Sequence, residues 1–285
     1  MFKSLWMLVA SLLFALMAAF ARMGASDFSA LELVFYRSAF GAAVIALWVW
    51  SKGFTLKTPL ARAHLMRSFL GTFALTIWFY AISKLPLGTA MTLNYTSPLY
   101  MALIVIFLAV KNGEPFSRAS AAAVVLGFLG VTLVLKPELS PGQTFPALVG
   151  LTSGFFAALA YFQIRQLTRM AEPEWRIVFY FTLFGTVWGL AGHLVLAGAM
   201  TPVTWDNVPA LLGMALTATG AQLAMTRSWG SANTLLTAVF QYSAIVFAAG
   251  FGLAFFDEPI GLMSAAGIAV ILVSGVWAAV IAKKK

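Results

Sequence analysis

The chain has 285 residues, of which 61% are hydrophobic and 9% charged, against about 25% charged in ordinary soluble domains. That composition excludes a water-soluble fold, and the absence of cysteine excludes disulfides, thiolate metal sites and thiol nucleophiles. A formal net charge of +9 would suit a nucleic-acid binder if read alone, but the basic residues sit in short segments between apolar runs, where Lys and Arg fix membrane orientation.

Apolar runs long enough to cross about 30 Å of hydrocarbon at about 1.5 Å per residue recur from end to end. Lipid offers no partners for bare backbone groups, so each run is expected as a helix. Ten spans are read, at 4–21, 31–50, 66–83, 89–110, 119–135, 146–164, 177–198, 208–226, 232–255 and 261–281. The fold class is therefore all-α and integral to a membrane. With a cytoplasmic N-terminus, fourteen basic residues fall inside (Lys3, Lys52, Lys57, Arg62, Arg67, Lys111, Arg118, Arg165, Arg169, Arg176, Arg227, Lys283, Lys284, Lys285). Three fall outside (Arg22, Lys84, Lys136), and Arg37 lies within a span. That asymmetry places both termini in the cytoplasm, with the protein in a bacterial inner membrane.

In the first span, Lys3 precedes an apolar run ending in Ala19-Phe20-Ala21, a pattern that a secretory signal shares. The stretch recurs later, which assigns it to the fold. In the second span Arg37 stands roughly two turns deep, where translocon scales put a central arginine at about 2.5–3.5 kcal/mol. Two readings stand level: it faces an aqueous cavity and meets an anionic group on a substrate, or its long side chain snorkels to the interface. In the fourth span Pro98 cannot donate a backbone bond to the carbonyl of Asn94. That carbonyl and the Asn94 amide would face a substrate at mid-depth, on a face continued by Ser97 and Met101. A packing kink satisfied by a neighbouring hydroxyl is the competing reading. Tyr36, Trp78, Tyr80, Tyr95, Tyr161, Tyr180 and Tyr242, with Gln163, Gln222 and Gln241, complete the candidate pocket. Any single aromatic fits an interfacial belt at least as well, whereas an amide deep in lipid is costly without partners. Gly127 with Gly130, and Gly185 with Gly189, read as close helix-packing faces. His64 is expected to be solvated in a cytoplasmic loop, and His193 to be interfacial.

The chain also repeats itself. Phe14-Ala15 and Ala18-Ala19-Phe20 match Phe156-Ala157 and Ala160-Tyr161-Phe162 at an offset of 142. Val34-Phe35-Tyr36 with Phe40-Gly41 matches Val178-Phe179-Tyr180 with Phe184-Gly185 at 144. Lys84 matches Arg227 at 143, Glu114-Pro115 matches Glu258-Pro259 at 144, and Gly130-Val131 matches Gly275-Val276 at 145. Two five-span units follow, residues 1–140 and 141–285. An odd number of spans makes the second unit enter from the opposite side, so the repeats are inverted, an architecture that recurs in secondary transporters.

Phe35-Tyr36-Arg37-Ser38, Trp78-Phe79-Tyr80-Ala81 before Leu85-Pro86-Leu87, Tyr95-Thr96-Ser97-Pro98-Leu99 and the two Glu-Pro pairs resemble the drug/metabolite transporter superfamily, EamA type, over essentially the whole chain. The resemblance implies spans one to four and six to nine around a central cavity, with spans five and ten outside it. It also implies carriage of amino acids, nucleotide-like metabolites or toxic cations, often as export, bacterial members including aromatic amino acid exporters. One departure is the stretch Gln241-Tyr242-Ser243-Ala244-Ile245, which has no proline matching Pro98.

The reading reached is an alternating-access secondary carrier, exporter or exchanger, of a small amino-acid-like metabolite. Its partners are that solute and membrane lipid, without nucleic acid, and monomer and homodimer both stay open. Every Asp and Glu lies at a span end or in a loop, which favours facilitated diffusion or exchange over ion-coupled pumping. No phosphate-binding loop is present to drive transport with ATP, and no cofactor, metal or catalytic residue is expected. A channel and a polytopic membrane enzyme are the alternatives; the enzyme would need a clustered acid, base or metal set.

Overall fold

The computed structural model describes residues 2–113, 118, 122, 125–130, 133, 142–229, 237 and 240–283. In chain order its helices are α1 (Phe2–Gly24), α2 (Ala30–Ser51), α3 (Ala61–Lys84), α4 (Leu87–Asn94), α5 (Ser97–Lys111), α6 (Thr144–Arg169), α7 (Glu174–Ala197), α8 (Val208–Trp229), α9 (Ser243–Phe256) and α10 (Leu262–Lys283), with a further helical stretch at 125–130. Six of them, α1, α2, α3, α6, α7 and α8, are long and apolar enough to cross a membrane. Most of the expected fifth span, the start of the ninth, the Glu114-Pro115 pair and the junction between the two expected repeat units lie outside the described residues.

The expected fourth span is not one helix. It breaks after Asn94, and Pro98 in the first turn of α5 explains why: with no N–H it cannot continue the ladder from α4. The break is closed locally. Thr96 Oγ1 donates to the Leu93 carbonyl at 2.6 Å and Leu99 N to the Thr96 carbonyl at 2.8 Å. The ninth span is interrupted at Tyr242, where Ser243 Oγ donates to the Phe240 carbonyl at 2.7 Å. A hydroxyl therefore satisfies the interruption in both places, although only one contains proline.

Helix pairing follows a reciprocal rule. α1 packs on α8 and α3 on α6; α2 packs on α7; α2 also meets α8 while α3 meets α7; α1 meets α9 while α6 meets α4 and α5; α4 meets α9 and α5 meets α10. Individual residues obey it too. A methyl group on Gly41 would press on the Thr182 side chain, and one on Gly185 would press on Ser38; Gly41 and Gly185, like Ser38 and Thr182, stand 144 apart in sequence. Ser97 and Gln241, also 144 apart, touch each other through Gln241 Nε2 and Ser97 Oγ at 3.5 Å. The backbones of α2 and α7 approach closely at Gly189, where a β-carbon would stand 2.6 Å from Phe35 N and 2.7 Å from the Leu31 carbonyl. Only a residue without a side chain lets α2 and α7 pack backbone to backbone there.

Polar ties fasten both ends of the bundle. At one end Glu172, between α6 and α7, holds His64 Nε2 at 2.9 Å and Arg176 Nη1 at 3.2 Å. Arg176 Nη2 and the Tyr180 hydroxyl also donate to the carbonyls of Thr55 and Leu56, each at 2.9 Å, pinning the segment between α2 and α3. His64 is thus 1% exposed and not the solvated loop residue expected, because its partner Glu172, 108 residues away, draws it inward. Burial of Glu172 opposes its ionisation, but side-chain hydrogen bonds with His64, Thr58 and Arg176 outweigh that and hold the carboxyl below the ordinary carboxylate range. At the other end Arg22 meets Glu258 at 3.4 Å, and the second Glu258 oxygen accepts the Leu87 N–H at the start of α4 at 2.7 Å. Glu32 closes a capping box with Ser29 and also accepts the Thr201 N–H at 2.6 Å. His193 lies beside it, bonded to Ser29 Oγ and the Ala199 carbonyl, each at 2.9 Å.

Candidate functional site: a cavity with two buried arginines

Between these ends seven helices line a partly open cavity of about 60 Å³. α3 contributes most of one wall with Arg67, Gly71, Ala74, Leu75 and Trp78, and α2 adds Arg37. α6 supplies Ala157, Ala160 and Tyr161, while α7 supplies Phe181. Gln222 and Met225 come from α8, Asn94 from the last turn of α4, and Phe14 from α1. Among the described residues, none of the lining comes from α5, α9 or α10.

The two arginines dominate its chemistry. Each is 2% exposed, and among the described residues neither has a carboxylate or hydrogen-bond partner; Nε of Arg37 and Nε and Nη1 of Arg67 are buried and unmatched. What they share is Phe181. The guanidinium carbon of Arg67 lies 3.9 Å from the ring centroid and that of Arg37 5.6 Å. A desolvated cation over a ring gains about 2 kcal/mol, against the roughly 2.5–3.5 kcal/mol that an arginine costs at a helix centre, a depth that Arg67, in the second turn of α3, does not reach. The ring offsets part of the burial of two like charges and supplies no acceptor for their N–H donors. Gly71 makes this arrangement possible: one turn above Arg67, a methyl group there would run into Arg67 Nη1 and the edge of Phe181.

The neighbouring polar atoms point the same way. Gln222 Nε2 is buried and unmatched, as are the hydroxyl oxygens of Ser38, Ser68 and Thr72 in the turns around the arginines. Trp78 is committed, its Nε1 donating to the Ala90 carbonyl at 3.2 Å. Asn94 donates from Nδ2 to Ser153 Oγ at 2.9 Å. The backbone carbonyl that Pro98 frees lies against α6, where a β-carbon on Gly154 would be 2.9 Å from it. The carbonyl of Asn94 is thus a packing feature, and only its side chain lines the cavity.

Of the residues singled out in the sequence, Arg37, Trp78, Asn94, Tyr161 and Gln222 come together here. The others lie elsewhere. Tyr36 packs edge-on against Phe28 and Phe35, Tyr80 faces Phe145, and Tyr180 braces the His64 end. Tyr95 and Tyr242 are buried in the core, Gln163 is half-buried, Gln241 bonds to Ser97, and Pro98 sets the break between α4 and α5. Arg67, expected among the cytoplasmic flanking charges, instead lines the cavity. The spacing of Arg67 and Gly71, four residues apart on one helix face, was the available signal that the arginine side chain could fold back along α3.

Residues 1–136 match the EamA-like transporter family. The pseudopaline exporter CntI of Pseudomonas aeruginosa is 32% identical over 265 residues, covering 93% of this chain and 91% of that protein. The chain belongs to the EamA-like transporter family. An uncharacterized transporter of Helicobacter pylori is 28% identical over 280 residues, covering 94% of this chain and 91% of its own. A shorter similarity, 30% identity over 108 residues, links the chain to the S-adenosylmethionine uptake transporter of Rickettsia felis, over 38% of this chain and 36% of that one. A crystal structure of a protein 19% identical superposes with a TM-score of 0.70 over 99% of this chain and 98% of that one, a likeness of fold. As an EamA-family member the chain is a multi-pass membrane transporter, not an enzyme.

Proposed function

We propose that this EamA-family transporter is an alternating-access secondary carrier of a small amino-acid-like metabolite, acting as an exporter or exchanger in a bacterial inner membrane. Residues 1–140 and 141–285 act as two inverted five-span repeats, with both termini and the His64 end of the bundle cytoplasmic. Support for the repeats lies in the reciprocal pairing of helices and in the mutual contacts of Gly41 with Thr182 and Gly185 with Ser38, the self-complementary pattern that a two-fold relation produces. Support for export comes from the whole-length similarity to a pseudopaline exporter.

The observation that carries this reading is the pair of arginines, without partners among the described residues, on a cavity shared by seven helices. Charged groups inside a membrane bundle mark solute pathways, because nothing else compensates their cost. Arg37, Arg67, Asn94, Trp78, Tyr161 and Gln222 form the substrate site, and Pro98, Gln241 and Ser97 set the flexible crossing of the fourth and ninth spans beside it. In proteoliposomes loaded with a candidate metabolite, saturable uptake that accelerates when the same metabolite is present on the far side is the expected result. Single-channel conductance steps would overturn the carrier reading in favour of a pore.

A further inference from the structure

We infer that the transported solute is a small dianion whose two carboxylates are met by Arg37 and Arg67 on the face of Phe181. The inference rests on the cavity being the substrate site and adds the chemistry of the cargo. The lining carries two cations, and no carboxylate among the described residues faces them. Glu32, Glu172 and Glu258 are each engaged at the bundle ends. A guanidinium does not deprotonate in proteins, so both charges are permanent. Its planar set of N–H donors fits a carboxylate through two parallel hydrogen bonds, and Nε of Arg37 with Nε and Nη1 of Arg67 are buried and unmatched among the described residues.

A single carboxylate would fill one fork and leave the other arginine uncompensated. The two guanidiniums flank one aromatic ring, no farther apart than their two distances to its centroid laid end to end. Acids a few carbons apart on one small molecule span that gap. Both cations come from the first half of the chain: at Arg37 plus 144 stands Phe181, and at Arg67 plus 143 stands Ala210. Phe14, Leu75 and Met225 add apolar lining that suits the carbon chain between the acids. A cationic solute would meet two like charges and no counter-charge among the described residues.

Because the chain has no cysteine, Ala157→Cys places a single thiol on the cavity wall. Its modification by an anionic methanethiosulfonate (ethylsulfonate) and a cationic one (ethyltrimethylammonium) reports the local field whatever the cargo is. The anionic reagent should react faster, and the ratio should fall at least tenfold for each of Arg37→Gln and Arg67→Gln, from a unit charge about 10 Å away at an effective dielectric constant near 20. Arg37→Lys and Arg67→Lys keep the charge and should keep the ratio, which separates the effect from misfolding. Succinate, glutarate or adipate should slow the anionic labelling several-fold more than acetate or lysine does. Equal rates for the two reagents, or protection no greater by any dicarboxylate than by acetate or lysine, overturns the dianion and leaves the cavity standing. Failure of both reagents to reach the introduced thiol overturns the site reading itself.

Discussion

Replacing Arg37 by methionine separates a functional arginine from a structural one. An arginine near a helix centre costs about 2.5–3.5 kcal/mol on translocon scales. Here the only compensation found among the described residues is Phe181 at 5.6 Å, close to the outer limit of about 6 Å for a cation over a ring and so worth less than the about 2 kcal/mol of a close desolvated pair. Methionine fills a similar volume, adapts to the Phe181 face and brings no charge. Arg37→Met should therefore be more stable than the parent by about 1–3 kcal/mol, in the range found when unneeded buried charges are replaced by apolar groups. In detergent this appears as a rise of several degrees in the temperature at which the monodisperse peak is lost on size-exclusion chromatography, while flux in proteoliposomes falls at least tenfold. A loss of stability in Arg37→Met would refute the reasoning, because it would mean that the arginine holds the fold together.

Three further substitutions test the packing and the ties. Gly189→Ala should destabilise by about 1–3 kcal/mol, since its β-carbon meets the backbone of Phe35 and Leu31; Gly192→Ala, which meets only the movable end of Leu31, should cost far less by the same thermal assay. Gly71→Ala should expel the Arg67 guanidinium from its place beside Phe181, reducing flux while the anionic reagent still reaches the thiol of Ala157→Cys. Glu172 has a folded pKa below its ordinary value of 4.5, so its contribution to stability is present above about that pH and is lost as pH falls through the lower folded value. Glu172→Gln should be less stable than the parent at pH 7, and the difference should shrink as the pH is lowered below 4.5 in thermal melts.

The architecture was legible because membrane insertion leaves its rules in the sequence. Apolar runs located the six spans that are long helices among the described residues, and the 144-residue offset that links Gly41 to Gly185 in sequence reappears as reciprocal contacts in space. The site was legible in part. Arg37 stood out because a cation in an apolar run is costly wherever it points. Arg67, in the second turn of α3, was indistinguishable by position from the flanking charges that orient a span, and only the fold-back over Gly71 distinguishes it. His64 resisted for another reason: its burial depends on Glu172, a partner 108 residues away that no local pattern announces. Pro98 marks a break by its chemistry alone, but what the freed Asn94 carbonyl faces is decided by Gly154 on another helix.

Alternating exposure of the arginine cavity is tested most directly by labelling Ala157→Cys with the anionic, membrane-impermeant reagent in right-side-out and inside-out vesicles. Reaction from both faces is expected, with a saturating dicarboxylate shielding the thiol in each orientation. Reaction from one face alone, in every condition, would contradict a carrier that turns this cavity from one side of the membrane to the other.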